Sequence, residues 1–421
     1  MATTEKLAID GGTPVAKDAF PLGFLGPMEI GEPEIEAVTS VLRSKMVFRF
    51  LDHQNSWCTR LENHFKALTG REYALAVGGG TAALVSGFVG AGIGEGDEVI
   101  IPGYTYIATA AAVLVCGAVP VICEIDETLT MDPADVERKI TPRTKAIVPV
   151  HMRGLPCDMD RLTQVAQKQG LLLIEDVAQA CGGSYKGRPL GSFGEAGCFS
   201  LQQYKVITAG EGGIVVTDSP EIFQRAALRH DSAMVFWQPG ETTVKPFAGT
   251  NFRMNELEGA LGCAQFDRLE SILSRTRKTK RSIVEGLQDV EGVRLGPVNC
   301  PEGDLGICTI LLCETKEKAK EFARALNAEG IPAGSVYDKT VPDRHIYCYW
   351  EYVMEKTSAD AHGWPWTSPL HDQSRRYTPD MCPQTLDVLG RSIQIEITQR
   401  YEQKHVDWVV QGVKKVAAAL G

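Results

Sequence analysis

Basic residues are in short supply. Lysine and arginine number 43 against 53 aspartates and glutamates, a net charge of −10. A nucleic-acid site needs a basic patch that displaces counterions, so no nucleic-acid partner is expected. No apolar run lies in the first 18 residues, so no signal peptide is expected and a cytoplasmic location follows. The 12 cysteines include no pair in CxxC spacing; Cys308 and Cys313 come nearest. That pattern predicts small buried hydrophobes in a reducing compartment, and no metal site. Internal repeats, low-complexity tracts and a Gly-X-Y period are also missing, which excludes solenoid, disordered and collagen-like classes.

One uncharged stretch is long enough to span a membrane. Residues 99–123 carry no charge over 25 positions. Pro102-Gly103 near its start, and Gly117 and Pro120 near its end, break it into strand, turn, short helix and strand. No membrane partner is expected.

What is abundant is glycine, and it is clustered: 22 of the 42 glycines lie between Gly70 and Gly213. In the same region continuous apolar runs alternate with helical patterns. The runs are Tyr73–Val77, Val99–Ile101, Val119–Ile122, Ala146–Val150 and Leu171–Ile174, with Gly197–Leu201 and Gly213–Thr217 completing the set. Continuous strands joined by helices predict an α/β fold whose mostly parallel sheet is covered on both faces. Apolar spacing over Glu256–Leu287 predicts one long helix. Beyond it, strands at Gly306–Leu312, Ile331–Val336 and Ser392–Ile397, and helices at Lys316–Asn327 and Lys404–Leu420, predict a smaller α+β domain. The expected division is an N-terminal arm over 1–35, a large domain over 36–284 and a small domain over 285–421.

Three segments carry chemistry. Gly78-Gly79-Gly80-Thr81 follows a strand and opens a helix. The spacing matches a dinucleotide loop, but the acidic residue expected about 20 positions on is missing, since the second strand ends in Pro102. Either a phosphate site at a helix N-terminus or a plain strand-to-helix corner remains. Asp176 ends the run Leu171–Ile174-Glu175-Asp176, where open α/β sheets place ligands. A buried carboxylate there needs a cationic partner, unless it caps a helix. Lys205 follows the run Gly197–Leu201 and precedes Gly210-Glu211-Gly212-Gly213; a desolvated lysine at such a place can serve as an amine nucleophile. An anion cradle, a strand-end carboxylate and a lysine are together what pyridoxal phosphate requires.

The chain resembles the DegT/DnrJ/EryC1/StrS family of pyridoxal-phosphate aminotransferases, of aspartate-aminotransferase-like fold type I. The resemblance is carried by Gly80–Leu84, Pro102–Tyr106, Glu175–Ala180, Phe199–Gly213 and Asn251–Met254. It implies a seven-stranded-type sheet in the large domain and pyridoxal 5'-phosphate as cofactor. It implies Lys205 as the Schiff-base lysine and Asp176 as the partner of the pyridinium nitrogen. Gln179 would lie near the phenolic oxygen, and Tyr106 would stack on the ring. Gly80, Thr81 and the Ser200 hydroxyl would hold the phosphate. Asn251 would reach the cofactor of the other subunit, making the active unit a homodimer with sites at its interface. Arg253 and His151 are candidate substrate contacts. The implied reaction moves an amino group from L-glutamate or L-glutamine to a ketosugar or ketocyclitol. The alternatives are an aromatising enzyme resembling aminohydroxybenzoate synthase and, from another class, a nicotinamide-dependent oxidoreductase.

Overall fold

The computed structural model describes residues 5–52, 55–237, 243–288, 290–292 and 294–420. Strands β1 (Tyr73–Val77), β2 (Glu98–Pro102), β3 (Val119–Cys123), β4 (Thr144–Ile147) and β5 (Leu172–Asp176) form where the apolar runs predict them. A two-residue ladder follows, of β6 (Ser184–Tyr185) and β7 (Arg188–Pro189). Then come β8 (Ala196–Ser200) and β9 (Gly213–Thr217). The seven-stranded sheet has the order β1-β9-β8-β5-β4-β2-β3.

β8, β5, β4, β2 and β3 run parallel, while β9 is antiparallel to both β8 and β1. The reversal follows from chain length. Only residues 201–212 separate β8 from β9, and that stretch forms no helix that could carry the chain back across the sheet. It makes a tight return instead, and Lys205 lies on it.

Side chains alternate between the two faces of the sheet. Leu75, Val77, Val99, Ile101, Ile174 and Val215 enter one apolar cluster. Ala74, Ala76, Ile100, Leu173, Phe199 and Ile214 enter the other. Both faces are covered by helices, which is why these runs read as continuous rather than alternating.

A second sheet is built from β10 (Arg294–Leu295), β11 (Cys308–Leu312), β12 (Gly334–Ser335) and β13 (Ser392–Glu396). Its order is β10-β11-β13-β12 and every pairing is antiparallel. Helices Lys316–Ala328 and Gln403–Leu420 supply much of its core, with Ile283 and Leu287 added.

Three expectations need correction. The long helix is two, Glu256–Phe266 and Leu269–Leu287, joined at Asp267-Arg268. Arg268 there is bonded to the buried Glu34, which ties the junction to the helix Glu32–Ser44. The strand expected over Ile331–Val336 shrinks to two residues: Ile331 still donates to Leu326 at the preceding helix end, and Pro332 has no N–H for a ladder. The expected cuts at 35/36 and 284/285 fall inside the helices Glu32–Ser44 and Leu269–Leu287. Moreover Tyr347, Trp350, Trp366 and Tyr377, expected in the small domain, are buried in a large-sheet cluster. The Tyr377 hydroxyl donates to the Pro120 carbonyl of β3 at 2.7 Å.

All 12 cysteines are free and ten are buried. Among the described residues no helix is long and apolar enough to cross a membrane.

Candidate active site

Parallel strands aim their carboxyl ends at one edge of the sheet, and that edge carries the chemistry. Asp176, the last residue of β5, is buried. Its Oδ2 accepts from the Thr109 hydroxyl at 2.8 Å, and its Oδ1 accepts from the Ala178 N–H at 3.1 Å. Thr109 is in turn 2.8 Å from the hydroxyl of Thr105, which lies ahead of the helix Ala108–Val115. Burial raises the Asp176 carboxyl above its ordinary range, against these donors and the nearby positive charge of Lys205.

Lys205 sits in the return between β8 and β9. The loop is closed by backbone bonds from Leu201 N–H to Gly212 and from Gln203 N–H to Gly210. Gly210 and Gly212 adopt positive φ, which suits residues without a Cβ. Burial lowers the Lys205 amine below the ordinary lysine value; Asp176 and Glu211 oppose the shift and Arg153 adds to it. A cation and a carboxylate both taken out of water thus face the same space, each pushed toward its neutral form. The N-terminal segment closes over this loop, with the Gly26 N–H donating to the Lys205 carbonyl and the Phe24 ring 5.4 Å from that of Tyr204.

The glycine run forms a cradle beside them. The helix Gly80–Gly90 starts at the end of β1, and its first internal bond is Ala83 N–H to Gly79 C=O at 2.9 Å. The N–H groups of Gly80, Thr81 and Ala82 therefore have no intrahelical acceptor, and the helix dipole favours an anion there. Three chain segments meet too closely for side chains. A Cβ on Gly80 would lie 2.7 Å from Ser200 Cβ, and one on Gly213 would lie 2.3 Å from the Gly79 carbonyl oxygen. Ser200 is buried, and its hydroxyl accepts from the Gln202 N–H at 3.3 Å. Thr81 is exposed.

These groups suit pyridoxal phosphate: an anion site, a buried carboxylate and a desolvated amine on adjoining strand ends. Gln179 and Tyr106 lie on neighbouring loops. The Gln179 side-chain oxygen accepts from the Arg153 N–H at 3.0 Å. Tyr106 is half exposed, with its ring 5.3 Å from that of His345.

The two candidate substrate contacts are placed otherwise. His151 is fully buried, its Nε2 3.3 Å from Glu175 and its Nδ1 accepting from the Cys157 N–H at 3.1 Å. Its ring is bonded to Glu175, while its backbone N–H donates to the Asp176 carbonyl at 3.2 Å and its charge acts on the Asp176 carboxyl. Arg253 pairs with the buried Asp231 at 2.8 Å and lies over the Phe48 ring. Both side chains are held by structural partners. Asn251 is exposed, bridges Asp231 through the backbone, and accepts from the Arg253 N–H at 3.4 Å.

Sequence reasoning missed four contributors. Thr109 fastens Asp176 and Thr105 backs Thr109, and nothing local marked either. Glu175 accepts from the N–H groups of Gly191, Phe193 and Gly194 and fixes the loop before β8. Arg153 brings a second cation, and nothing local marked it. A cavity of about 470 Å³ between the helix Leu269–Leu287 and residues 295–310 includes none of these residues.

Fold and site together define a fold type I enzyme of the pyridoxal-phosphate-dependent class. The comparisons with known proteins sharpen that class. The chain belongs to the DegT/DnrJ/EryC1/StrS aminotransferase family, whose sequence model matches residues 28–365. Membership carries pyridoxal phosphate as the cofactor and removes the nicotinamide alternative. GDP-perosamine synthase from Caulobacter vibrioides is 41% identical over 236 residues, covering 56% of this chain and 62% of that protein, less than two thirds of its length. A putative L-glutamine:3-amino-2,3-dideoxy-scyllo-inosose aminotransferase from Streptomyces kanamyceticus is 35% identical, covering 69% and 68%. The solved structure of an aminotransferase from Psychrobacter cryohalolentis superposes with a TM-score of 0.76 at 26% identity, covering 93% and 98%.

Proposed function

We propose that this protein is an aminotransferase that moves an amino group from L-glutamate or L-glutamine to the ketone of a sugar or cyclitol. The observation that carries the reading is the desolvated Lys205 facing the buried Asp176 across the strand ends, beside a glycine cradle. The named activities of the relatives, on a nucleotide sugar and on a cyclitol, support the acceptor class.

Pyridoxal phosphate, when bound, carries the amino group between substrates and takes up the electron pair left at the donor Cα. The protein supplies the rest. Lys205 Nζ, whose affinity for a proton is lowered by burial, takes the proton from the donor Cα and returns one to the acceptor carbon. Asp176 keeps a proton on the ring nitrogen, and Thr109 holds that carboxylate in position. The N–H groups at Gly80–Ala82 and the Ser200 hydroxyl bind the phosphate. Tyr106 would cover the ring, and Gln179 would sit beside its oxygen. In this reading the active unit is a homodimer, with Asn251 serving the partner's site and Arg253 bracing Asn251.

The purified protein supplied with cofactor is expected to show an absorbance band at about 410–430 nm. The band should be lost in Lys205→Ala, bleach with L-glutamate or L-glutamine and return with a keto sugar. Failure of the wild-type protein to develop the band sinks the proposal. Mixing Lys205→Ala with Asn251→Ala protein tests the dimer: activity in the mixture, absent from either parent, is the expected result.

A further inference from the structure

Arg153 is the least explained residue near Lys205. It follows β4 in a short turn, with φ 56° and ψ 27°. A left-handed conformation costs a non-glycine residue about 1–2 kcal/mol and persists where the surroundings enforce it, most often at functional sites. Here the enforcing contacts are polar. The Arg153 N–H donates to Gln179, and its carbonyl accepts from the Cys308 thiol.

The strained turn delivers a guanidinium to the mouth of the site. Its Nε donates to the Tyr104 hydroxyl at 3.3 Å. Its Nη1 is 3.4 Å from Glu396 Oε1, a long contact to a carboxylate that is 57% exposed. Five N–H groups are available on a guanidinium, and these two contacts occupy two of them. The arm residue Gly23 lies against the same carboxylate: a Cβ there would come within 2.7 Å of Glu396 Oε2. Gly26, three residues on, is bonded to the Lys205 carbonyl. Arg153, Glu396 and Lys205 are thus gathered under one segment of the N-terminal arm. Two cations share this space, and the Arg153 charge disfavours the charged form of Lys205.

We propose that Arg153 binds the carboxylate of the amino donor, taking it in exchange for the loose contact with Glu396. This inference rests on the aminotransferase reading above. The geometry selects the donor carboxylate because an α-carboxylate is one bond from the Cα at which Lys205 works, so its binder must lie close to that amine. A guanidinium matches a carboxylate through two parallel N–H bonds, which a lysine cannot reproduce. Glu396 then acts as a stand-in that keeps the cation paired between turnovers.

The test uses the cofactor-loaded enzyme and maleate, an unreactive dicarboxylate, with affinity measured by calorimetry. Arg153→Met should weaken maleate about tenfold to a hundredfold, the loss of one charge-assisted contact. Arg153→Lys should recover only part of it. Glu396→Gln should tighten maleate by removing the competitor, and it keeps the question answerable where Arg153→Met does not fold. Bleaching of the absorbance band should demand more L-glutamate in Arg153→Met. Unaltered maleate affinity in both Arg153→Met and Glu396→Gln, with the band intact, overturns the assignment and leaves the aminotransferase reading standing. A wild-type protein without the band overturns that reading first.

Discussion

Replacing Thr109 by valine removes one hydroxyl, and almost no volume, from beneath Asp176. The wild-type hydroxyl donates to Asp176 Oδ2 at 2.8 Å in a fully buried setting. A hydrogen bond to a charged group contributes about 1.5–3 kcal/mol. That loss removes a donor that favours the ionised carboxylate, so the Asp176 pKa rises further. The sign needs care. Burial has already raised this carboxyl above its unfolded value of 3.8. Between the two values the folded state binds more protons than the unfolded one, so stability falls as pH rises through the window. Thr109→Val pushes the upper edge of the window upward. Its penalty should therefore be about 2 kcal/mol above the new edge and shrink as the carboxyl becomes protonated. Urea unfolding of cofactor-free protein at several pH values reads this directly. Repeating the substitution in Asp176→Asn protein should remove most of the effect, because the charge that the hydroxyl serves is gone. An equal penalty at all pH values, or one undiminished in the Asp176→Asn background, would refute the argument: the hydroxyl would then matter for packing alone.

Three other outcomes follow from the same structure. Gly80→Ala should weaken cofactor binding without unfolding the chain, since its Cβ meets Ser200 at 2.7 Å in the cradle; a titration of the apo enzyme with pyridoxal phosphate checks it. His230 is buried, and its ring is held down to about 4, with Nδ1 2.6 Å from the Ala227 carbonyl. Because its folded value lies below 6.5, stability should fall by about 3 kcal/mol as pH drops from 6.5 to 4, and His230→Asn should lack that slope in thermal unfolding. Glu329 is buried, bonds Lys415, and accepts from the N–H groups of Ala8 and Val15. Glu329→Ala should loosen residues 8–15, seen as faster amide exchange there, and should lower stability by about 3 kcal/mol by leaving Lys415 unpaired.

Much of this protein could be read without coordinates, for local reasons. A strand buried on both faces must be apolar throughout, so the runs that became β1–β5, β8 and β9 announced themselves. A carboxylate closing such a run is costly enough to need a purpose, which singled out Asp176. Lys205 stood out because an apolar strand before it and four residues of glycine-rich turn after it leave a lysine little reason to be there. Each of those features is marked by its own neighbours in the chain, and local spacing alone reveals it.

Tertiary structure decided what depends on which distant segments meet. Thr109 reaches Asp176 from 67 positions away, and Arg153 meets Glu396 across 243. The reversal of β9 came from a return too short for a crossover. Glu175 engaged the His151 ring, and the buried Asp231 claimed Arg253. Burial is a property of the packed chain, not of a residue. It alone turned an ordinary lysine and an ordinary aspartate into a desolvated pair whose charges are no longer held by water.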